Sequence, residues 1–346
     1  MKILCYTDLQ ATTGHETLRS DPTKLLQVWR VQKFYADLHQ IYTEYRCDTL
    51  VDLGDTLDDR SSIPVPAIDA VCAGLSVFPI SKWNIKLVGN HDQYLKSTTL
   101  HVGKLFEPYF TVVDRPTVYE YGKISIACAP YPPNEDSLNA FIRSLNKSKP
   151  TVLLGHFQLA GCFGHAGQLM TGVSLETVNW TKLCLLGHIH KPQSYGNVHY
   201  VGSPFQQNWG EAGEDKRVAI VDISEQTGQV SLKWVPLSGY PRYLDVDFET
   251  FNRLATEDGE DRYRVSLKSP VEAAEFYAHP LTTHGDPQYD FDVSSCATTT
   301  DTGAEGDSWT PENVIHRYME RNKPSDRGIA LPDAEIEEIG VQLLHP

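Results

Sequence analysis

The sequence predicts an α/β fold built in layers, completed by a small α+β unit and terminal helices. Three observations lead there. Short apolar runs rich in β-branched residues recur through the first 235 positions, helical stretches separate the early runs, and the later runs follow one another closely. Alternation of that kind belongs to mixed sheets covered by helices. At 346 residues the chain is also too long for one small core, which argues for two or three units.

Candidate strands fall at 2–7, 49–53, 85–88, 123–129, 151–154, 182–186, 198–201, 218–222 and 230–235. Between the first two, 24–45 reads as a long helix, with Asp21 as its N-cap and Pro22 in the first helical position. Shorter helices are expected at 66–75 and 136–145. Ser, Gly and Pro break the pattern around 237–241, so 1–237 is taken as one domain. A strand at 262–267, a helix at 271–278 opened by Ser269-Pro270 and a strand at 290–293 form a small acidic β-α-β unit spanning 238–293. Residues 294–310 are small and polar, the composition of a flexible linker. Beyond it, 311–346 holds two helical stretches with apolar stripes, Val314, Ile315, Tyr318 and Met319, then Ile336, Ile339, Val341 and Leu344.

Composition narrows the function classes. The chain is 40% hydrophobic and 22% charged, a balance that suits a folded chain rather than a disordered one. No window approaches the ~18 consecutive apolar residues of a membrane span. Residues 1–6 run into Thr7-Asp8 without a small-residue cleavage site, so no secretory leader is expected. The seven cysteines (5, 47, 72, 128, 162, 184 and 296) are odd in number and scattered, with no C-x-x-C pair. That usage fits reduced thiols and a cytoplasmic location. The net charge of −15 opposes phosphate binding at first sight. Its distribution weakens that objection: residues 1–250 hold 22 basic and 26 acidic side chains, while 251–346 hold 8 and 19. Carboxylates gathered around a cation would account for part of the remainder.

One arrangement recurs along the first domain. An apolar run ends, usually in Gly, and a side chain able to bind a metal follows: Asp8-Leu9-Gln10, Gly54-Asp55, Gly89-Asn90-His91-Asp92, Gly155-His156 and Gly187-His188-Ile189-His190. Any one of these alone is ordinarily a turn. Five in order, each at the end of a strand, would aim carboxylate, amide and imidazole groups into one crevice. Oxygen mixed with imidazole nitrogen suits Mn, Fe or Zn better than Mg or Ca, and the lack of cysteine ligands excludes a structural zinc knot. Two ions about 3.5–4 Å apart would clamp a phosphate and activate a nucleophile for in-line attack.

These five segments resemble the motifs of calcineurin-like metallophosphoesterases. The stretch Tyr200-Val201-Gly202-Ser203-Pro204-Phe205, continuing to Trp209-Gly210-Glu211, is similar to the end of the catalytic domain in SbcD nucleases. Those are bacterial and phage relatives of the meiotic-recombination double-strand-break repair nuclease. The resemblance implies a layered metallophosphoesterase β-sandwich flanked by helices over 1–237, a capping domain at 238–293, and a partner-binding segment at 311–346. It implies an exo- or endonuclease of DNA repair and recombination, acting with a coiled-coil ATPase resembling SbcC and forming a homodimer. Its cofactors would be two divalent ions, Mn first, with Fe, Zn or Mg as alternatives. Asp8, Gln10 and His190 would hold the first ion, Asn90, His156 and His188 the second, and Asp55 would bridge them. His91 would serve the leaving oxygen, with Asp92 orienting its ring.

The chain departs from the family twice. Gln10 stands where the family has histidine, with His15 as a substitute ligand if the loop folds back, and Asp58 stands where a further histidine is usual. A DNA-end-binding or ATPase-regulating subunit with weak catalysis, or a small-molecule phosphodiesterase, are the competing functions.

Overall fold

Two six-stranded sheets face each other across a shared apolar core, with helices on both outer faces. The computed structural model describes residues 1–95, 100–164, 167–256, 259–279 and 289–292. The linker 294–310 and the terminal segment 311–346 lie outside the described residues. In chain order the elements begin β1 (Lys2–Tyr6), α1 (Leu26–Glu44), β2 (Thr49–Asp52), α2 (Val65–Leu75), β3 (Ile85–Leu87), β4 (Thr111–Val113), β5 (Thr117–Tyr121) and β6 (Ile124–Ala129). They continue α3 (Glu135–Ser144), β7 (Thr151–His156), α4 (Leu175–Val178), β8 (Leu183–Gly187), β9 (Gln193–Tyr195), β10 (Val198–Tyr200), β11 (Arg217–Ile223) and β12 (Val230–Pro236).

The first sheet has the order β12-β11-β1-β2-β3-β4 and the second β5-β6-β7-β8-β10-β9. Side chains alternate across each strand, so one face of every central strand enters the inter-sheet core and the other meets helices. Ile3 and Cys5 pack inward with Val51, Ile85 and Leu154, while Leu4 and Tyr6 face Phe34, Leu38 and Val71 of α1 and α2. On the far side Ala127, Leu153 and Leu186 meet Leu138 and Ile142 of α3. Burial on both faces explains why these strands read as continuous apolar runs. The neighbours β1, β2 and β3 run parallel, as do β6, β7 and β8, so their carboxyl ends gather at common edges.

A third sheet follows: β13 (Tyr243–Asp247), α5 (Phe248–Leu254), β14 (Arg262–Ser266), α6 (Pro270–Ala278) and β15 (Tyr289–Asp292), all three strands parallel in that order. It has its own small core of Phe248, Phe251, Tyr263, Val265, Leu267 and Phe276. The unit is therefore β-α-β-α-β, with one strand and one helix more than expected. It touches the first part through Tyr243, whose N–H donates to Gln206 Oε1 at 2.6 Å, and through Arg262, paired with Glu16.

One expected cap is corrected. Helix α1 begins at Leu26 with Leu25 in the cap position and no side-chain cap, while Asp21 accepts from Thr23 N–H at 3.2 Å and Thr23 Oγ1 at 2.6 Å. The short carboxylate closes a local turn instead, the competing role such residues play near helix starts.

Helices α1 and α2 pack closely because α2 carries Gly74, where an added Cβ would lie 2.3 Å from the Tyr35 ring. In an open helix Gly→Ala helps by about 1 kcal/mol. Here the methyl group meets a buried ring, and we expect Gly74→Ala to cost about 1–3 kcal/mol. A urea midpoint equal to or above that of wild type would contradict this packing.

Candidate metal centre

Each of the five segments leaves the carboxyl end of a central strand: Asp8 and Gln10 after β1, Asp55 after β2, Asn90, His91 and Asp92 after β3, His156 at the end of β7, and His188 and His190 after β8. The turns that aim them are strained. Asp8, Gln10, Asp55 and His188 have φ of 51°, 45°, 56° and 84°, in the left-handed region, where a non-glycine residue costs of order 1–3 kcal/mol. Cross-loop hydrogen bonds hold them: Asp8 N–H donates to Gly54 O and Gln10 N–H to Asp55 O, both at 2.9 Å.

Four donor atoms converge in one half of the site. Asp55 Oδ2 lies 3.2 Å from His156 Nε2, and Asn90 Oδ1 lies 3.1 Å from His156 Nε2 and 2.6 Å from His188 Nδ1. His156 Nδ1 contacts Leu53 O at 2.8 Å, which makes it the donor there and turns Nε2 into the gap. Asp55, His156 and His188 offer atoms all within 4.8 Å of one another, a spacing that could hold a metal ion. Carboxylate, amide oxygen and two imidazoles form the donor set of a borderline divalent cation, so the residues fit such an ion. Asn90 carries the same message. With its amide reversed, the nitrogen would donate to Asp55, His156 and His188 and the oxygen would accept from Arg60 at 3.3 Å. Inward nitrogen satisfies the cluster with protons, whereas inward oxygen suits a cation.

The titration of these groups follows from their crowding. Burial opposes charge on His156, but the Asp55 and Asp8 carboxylates outweigh it and hold its pKa at about 9. Burial and the neighbouring His156 push His188 down to about 3, leaving that ring neutral. Burial would raise Asp55, yet His156 and the His91 N–H hold it well below the usual carboxylate range. A proton on His156 therefore occupies charge that a cation would displace on binding.

The other half holds Asp8, Gln10 and His190. The Asp8 carboxylate accepts from Thr7 Oγ1 at 2.9 Å and from the His188 N–H at 3.0 Å, and lies 4.0 Å from His190 Nε2. Gln10 Nε2 lies 2.9 Å from His190 Nε2. Behind the ring, His190 Nδ1 meets Glu211 Oε1 at 2.8 Å. Glu211 is buried and also binds Lys216 Nζ at 2.6 Å and Ser203 Oγ at 2.9 Å. Sequence reasoning assigned Glu211 no role, and its only signal was its place in the Gly-Ser-Pro to Trp-Gly-Glu stretch. His15 is exposed on the loop.

The expectation for Asp92 is corrected. Its buried carboxylate accepts from the N–H groups of Gly89 at 2.9 Å, Asp55 at 3.0 Å and Thr56 at 3.3 Å, and from Lys86 Nζ at 3.1 Å. Among the described residues it makes no hydrogen bond to the His91 ring. That ring is held by Asp58, with Nδ1 at 2.8 Å from the Asp58 carbonyl oxygen and 3.5 Å from its carboxylate.

Comparison with known proteins gives three findings. Residues 1–192 match the family model of calcineurin-like phosphoesterases. The chain is similar to exonuclease subunit 1 of Enterobacteria phage T4, 24% identical over 225 residues, covering 60% of this chain. It spans 63% of that relative's length. Among solved structures, a calcineurin-like phosphoesterase from Bacillus subtilis aligns at TM-score 0.40 and 15% identity over 69% of this chain and 90% of that one. A dimetal phosphatase from Danio rerio aligns at TM-score 0.40 and 10% identity, over 67% and 95%.

Position 10 gives a direct test. Imidazole binds first-row divalent ions better than a neutral amide does. Gln10→His is expected to lower the Mn²⁺ concentration that half-fills the weaker of two sites several-fold, while His15→Ala leaves it unchanged, both read by calorimetric titration. A shift with His15→Ala would make His15 the ligand instead.

Proposed function

The chain belongs to the calcineurin-like phosphoesterase family, and from that premise we propose that it is a DNA nuclease of SbcD type. The family's enzymes are metal-dependent hydrolases of phosphoester bonds that use a dinuclear divalent site. On our reading Asp8, Gln10 and His190 hold one ion, Asn90, His156 and His188 the other, and Asp55 serves both. When bound, the ions polarise the phosphate and activate the attacking water. The observation that carries this reading is the convergence of Asp55, His156 and His188, whose ligand atoms lie within 4.8 Å of one another, beside the Asp8 loop that is bonded to the Asp55 loop through Asp8 N–H to Gly54 O and Gln10 N–H to Asp55 O.

The chain's own groups then have distinct tasks. Glu211 fixes the tautomer of His190 and raises its basicity, as carboxylates behind metal-binding histidines do. Asp58 holds His91 through Nδ1, which leaves Nε2 to serve the leaving oxygen. The Arg60 guanidinium lies 3.3 Å from the outward amide atom of Asn90, and with the Asn90 oxygen turned inward to a metal ion it is left to supply positive charge for a phosphate oxygen.

DNA as substrate is supported by the likeness to a phage exonuclease subunit. Mn is the metal we favour, with Fe, Zn or Mg as alternatives. The segment 238–293 would act as a cap beside the site, and 311–346 would dock an ATPase resembling SbcC by laying apolar stripes in a groove. A homodimer and a cytoplasmic location complete the proposal. Among the described residues no helix is long and apolar enough to cross a membrane. Gln10 favours one second reading, a DNA-binding subunit with weak catalysis, because an amide is a poorer ligand than the imidazole it replaces.

Linear duplex DNA and bis(4-nitrophenyl) phosphate, each incubated with Mn²⁺, separate the readings. We expect DNA cleavage to exceed diester turnover, and Asp55→Asn to lose more than about 10³-fold of it. Turnover of the small diester alone would sink the nuclease reading, and DNA binding without cleavage would favour the binding subunit.

His91→Ser is expected to keep its metal stoichiometry and lose about 10²–10⁴-fold of turnover, as for a proton donor. Metal content and rate must be measured on one preparation. Loss of metal with activity would make His91 a ligand.

A further inference from the structure

Lys86 is a cation with no exposed surface that the chemistry above does not use. It sits in the middle of β3, paired across the sheet with Asp52 of β2. Its neighbours Ile85 and Leu87 enter the inter-sheet core, whereas Lys86 projects to the opposite face, its ammonium 5.2 Å from the centre of the Phe106 ring. An unpaired ammonium there would be very costly. Three partners receive it: Asp52 Oδ2 at 3.3 Å, Asp92 Oδ2 at 3.1 Å and Thr56 Oγ1.

Each partner leads to a loop of the metal centre. Asp52 Oδ1 accepts the Gly54 N–H at 2.9 Å, and its Oδ2 accepts Thr56 Oγ1 at 2.5 Å. Asp92, from the β3 loop, accepts the N–H groups of Asp55 and Thr56 in the β2 loop and of Gly89 beside Asn90. Lys86 is thus the common donor to two carboxylates that between them hold the backbone of Gly54, Asp55, Thr56 and Gly89. We infer that Lys86 is a positioning residue, whose buried ammonium clamps the Asp55 and Asn90 loops through Asp52, Asp92 and Thr56 and so sets the affinity of the centre for its metal ions.

The sign of the effect separates positioning from simple electrostatics. Removing a positive charge from beneath a cation site should, by Coulomb's law alone, tighten cation binding. Losing the clamp should loosen it, by about tenfold or more, the range for supporting groups behind metal ligands. A purely structural role lowers the melting temperature and leaves the metal affinity of the folded protein unchanged.

The inference rests on the ligand assignment proposed above. The test is Mn²⁺ titration by calorimetry on the full chain, with folding checked by circular dichroism. Lys86→Met keeps the side chain's bulk, and Lys86→Met/Asp52→Asn removes one charge of each sign, so that a folded variant is available if the single substitution unfolds. Both are expected to bind Mn²⁺ about tenfold more weakly or worse. Unchanged or tighter binding in a folded variant overturns the inference. Asp55→Asn in the same titration tests the assignment itself: undiminished metal binding there means the ligands are wrong, whereas loss there with none at Lys86 overturns only the positioning role.

Discussion

The centre depends on loops that approach one another too closely for a single methyl group. An added Cβ at Gly89 would lie 2.1 Å from Asp55 Oδ1, at Gly54 2.5 Å from His156 Nδ1, and at Gly187 2.1 Å from Thr7 Oγ1. Glycine ahead of Asp55, Asn90 and His188 is thus a steric requirement of the neighbouring loop, more than a convenience for turning. Gly54 adds a φ of 117° that other residues rarely adopt. Close approach lets backbone amides from one loop meet acceptors on another, and those bonds hold four non-glycine residues in the left-handed region. Such strain persists only where its surroundings over-determine it, and here three apolar layers and the buried carboxylates do so.

Charge follows the same plan. Asp8, Asp52, Asp55, Asp92 and Glu211 are all buried. Lys86 pairs with Asp52 and Asp92, and Lys216 pairs with Glu211. Asp8 and Asp55 have no lysine or arginine partner among the described residues, only N–H groups, a hydroxyl and imidazoles. Beside Asp55 the place of a lysine is taken by the His156 imidazole, whose proton a bound cation would displace. The two left over are the two that our assignment gives to the metal ions, one of them shared. Part of the chain's negative excess is therefore a site prepared for positive charge, which is why net charge misleads about phosphate binding.

The strand ends and the metal-capable residues gathered at them were legible because they combine two local signals, an apolar run and, usually, a glycine before such a residue. Supporting groups leave no such trace. Glu211 reaches His190 across 21 positions, and Asp92 reaches Asp55 across 37. In sequence each is one polar residue among many. The resemblance implied that Asp92 orients His91, but the Asp92 carboxylate is taken up by the amides of Gly89, Asp55 and Thr56, and Asp58 from another loop holds the ring. Asp21 misled for a related reason, since a short carboxylate before Pro fits a turn as well as a cap. Strand β13 has the alternation Tyr243-Leu244-Asp245-Val246-Asp247, yet its two aspartates hid it among loop residues.

The two halves of the centre differ in how they are supported, and the difference bears on Gln10. Behind His156 stands a backbone carbonyl, while behind His190 stands a buried carboxylate that is itself fixed by Lys216 and Ser203. A carboxylate behind an imidazole increases its electron donation to a cation. Burial raises the Glu211 pKa, but His190 and Lys216 outweigh it and hold Glu211 at about 2, so it stays ionised and able to do this. On the assignment proposed above, the half given the amide ligand is thus the half with the stronger support. On that assignment Glu211 would offset part of what an imidazole at position 10 would have contributed, so the departure there would tune the site through its surroundings rather than abandon it.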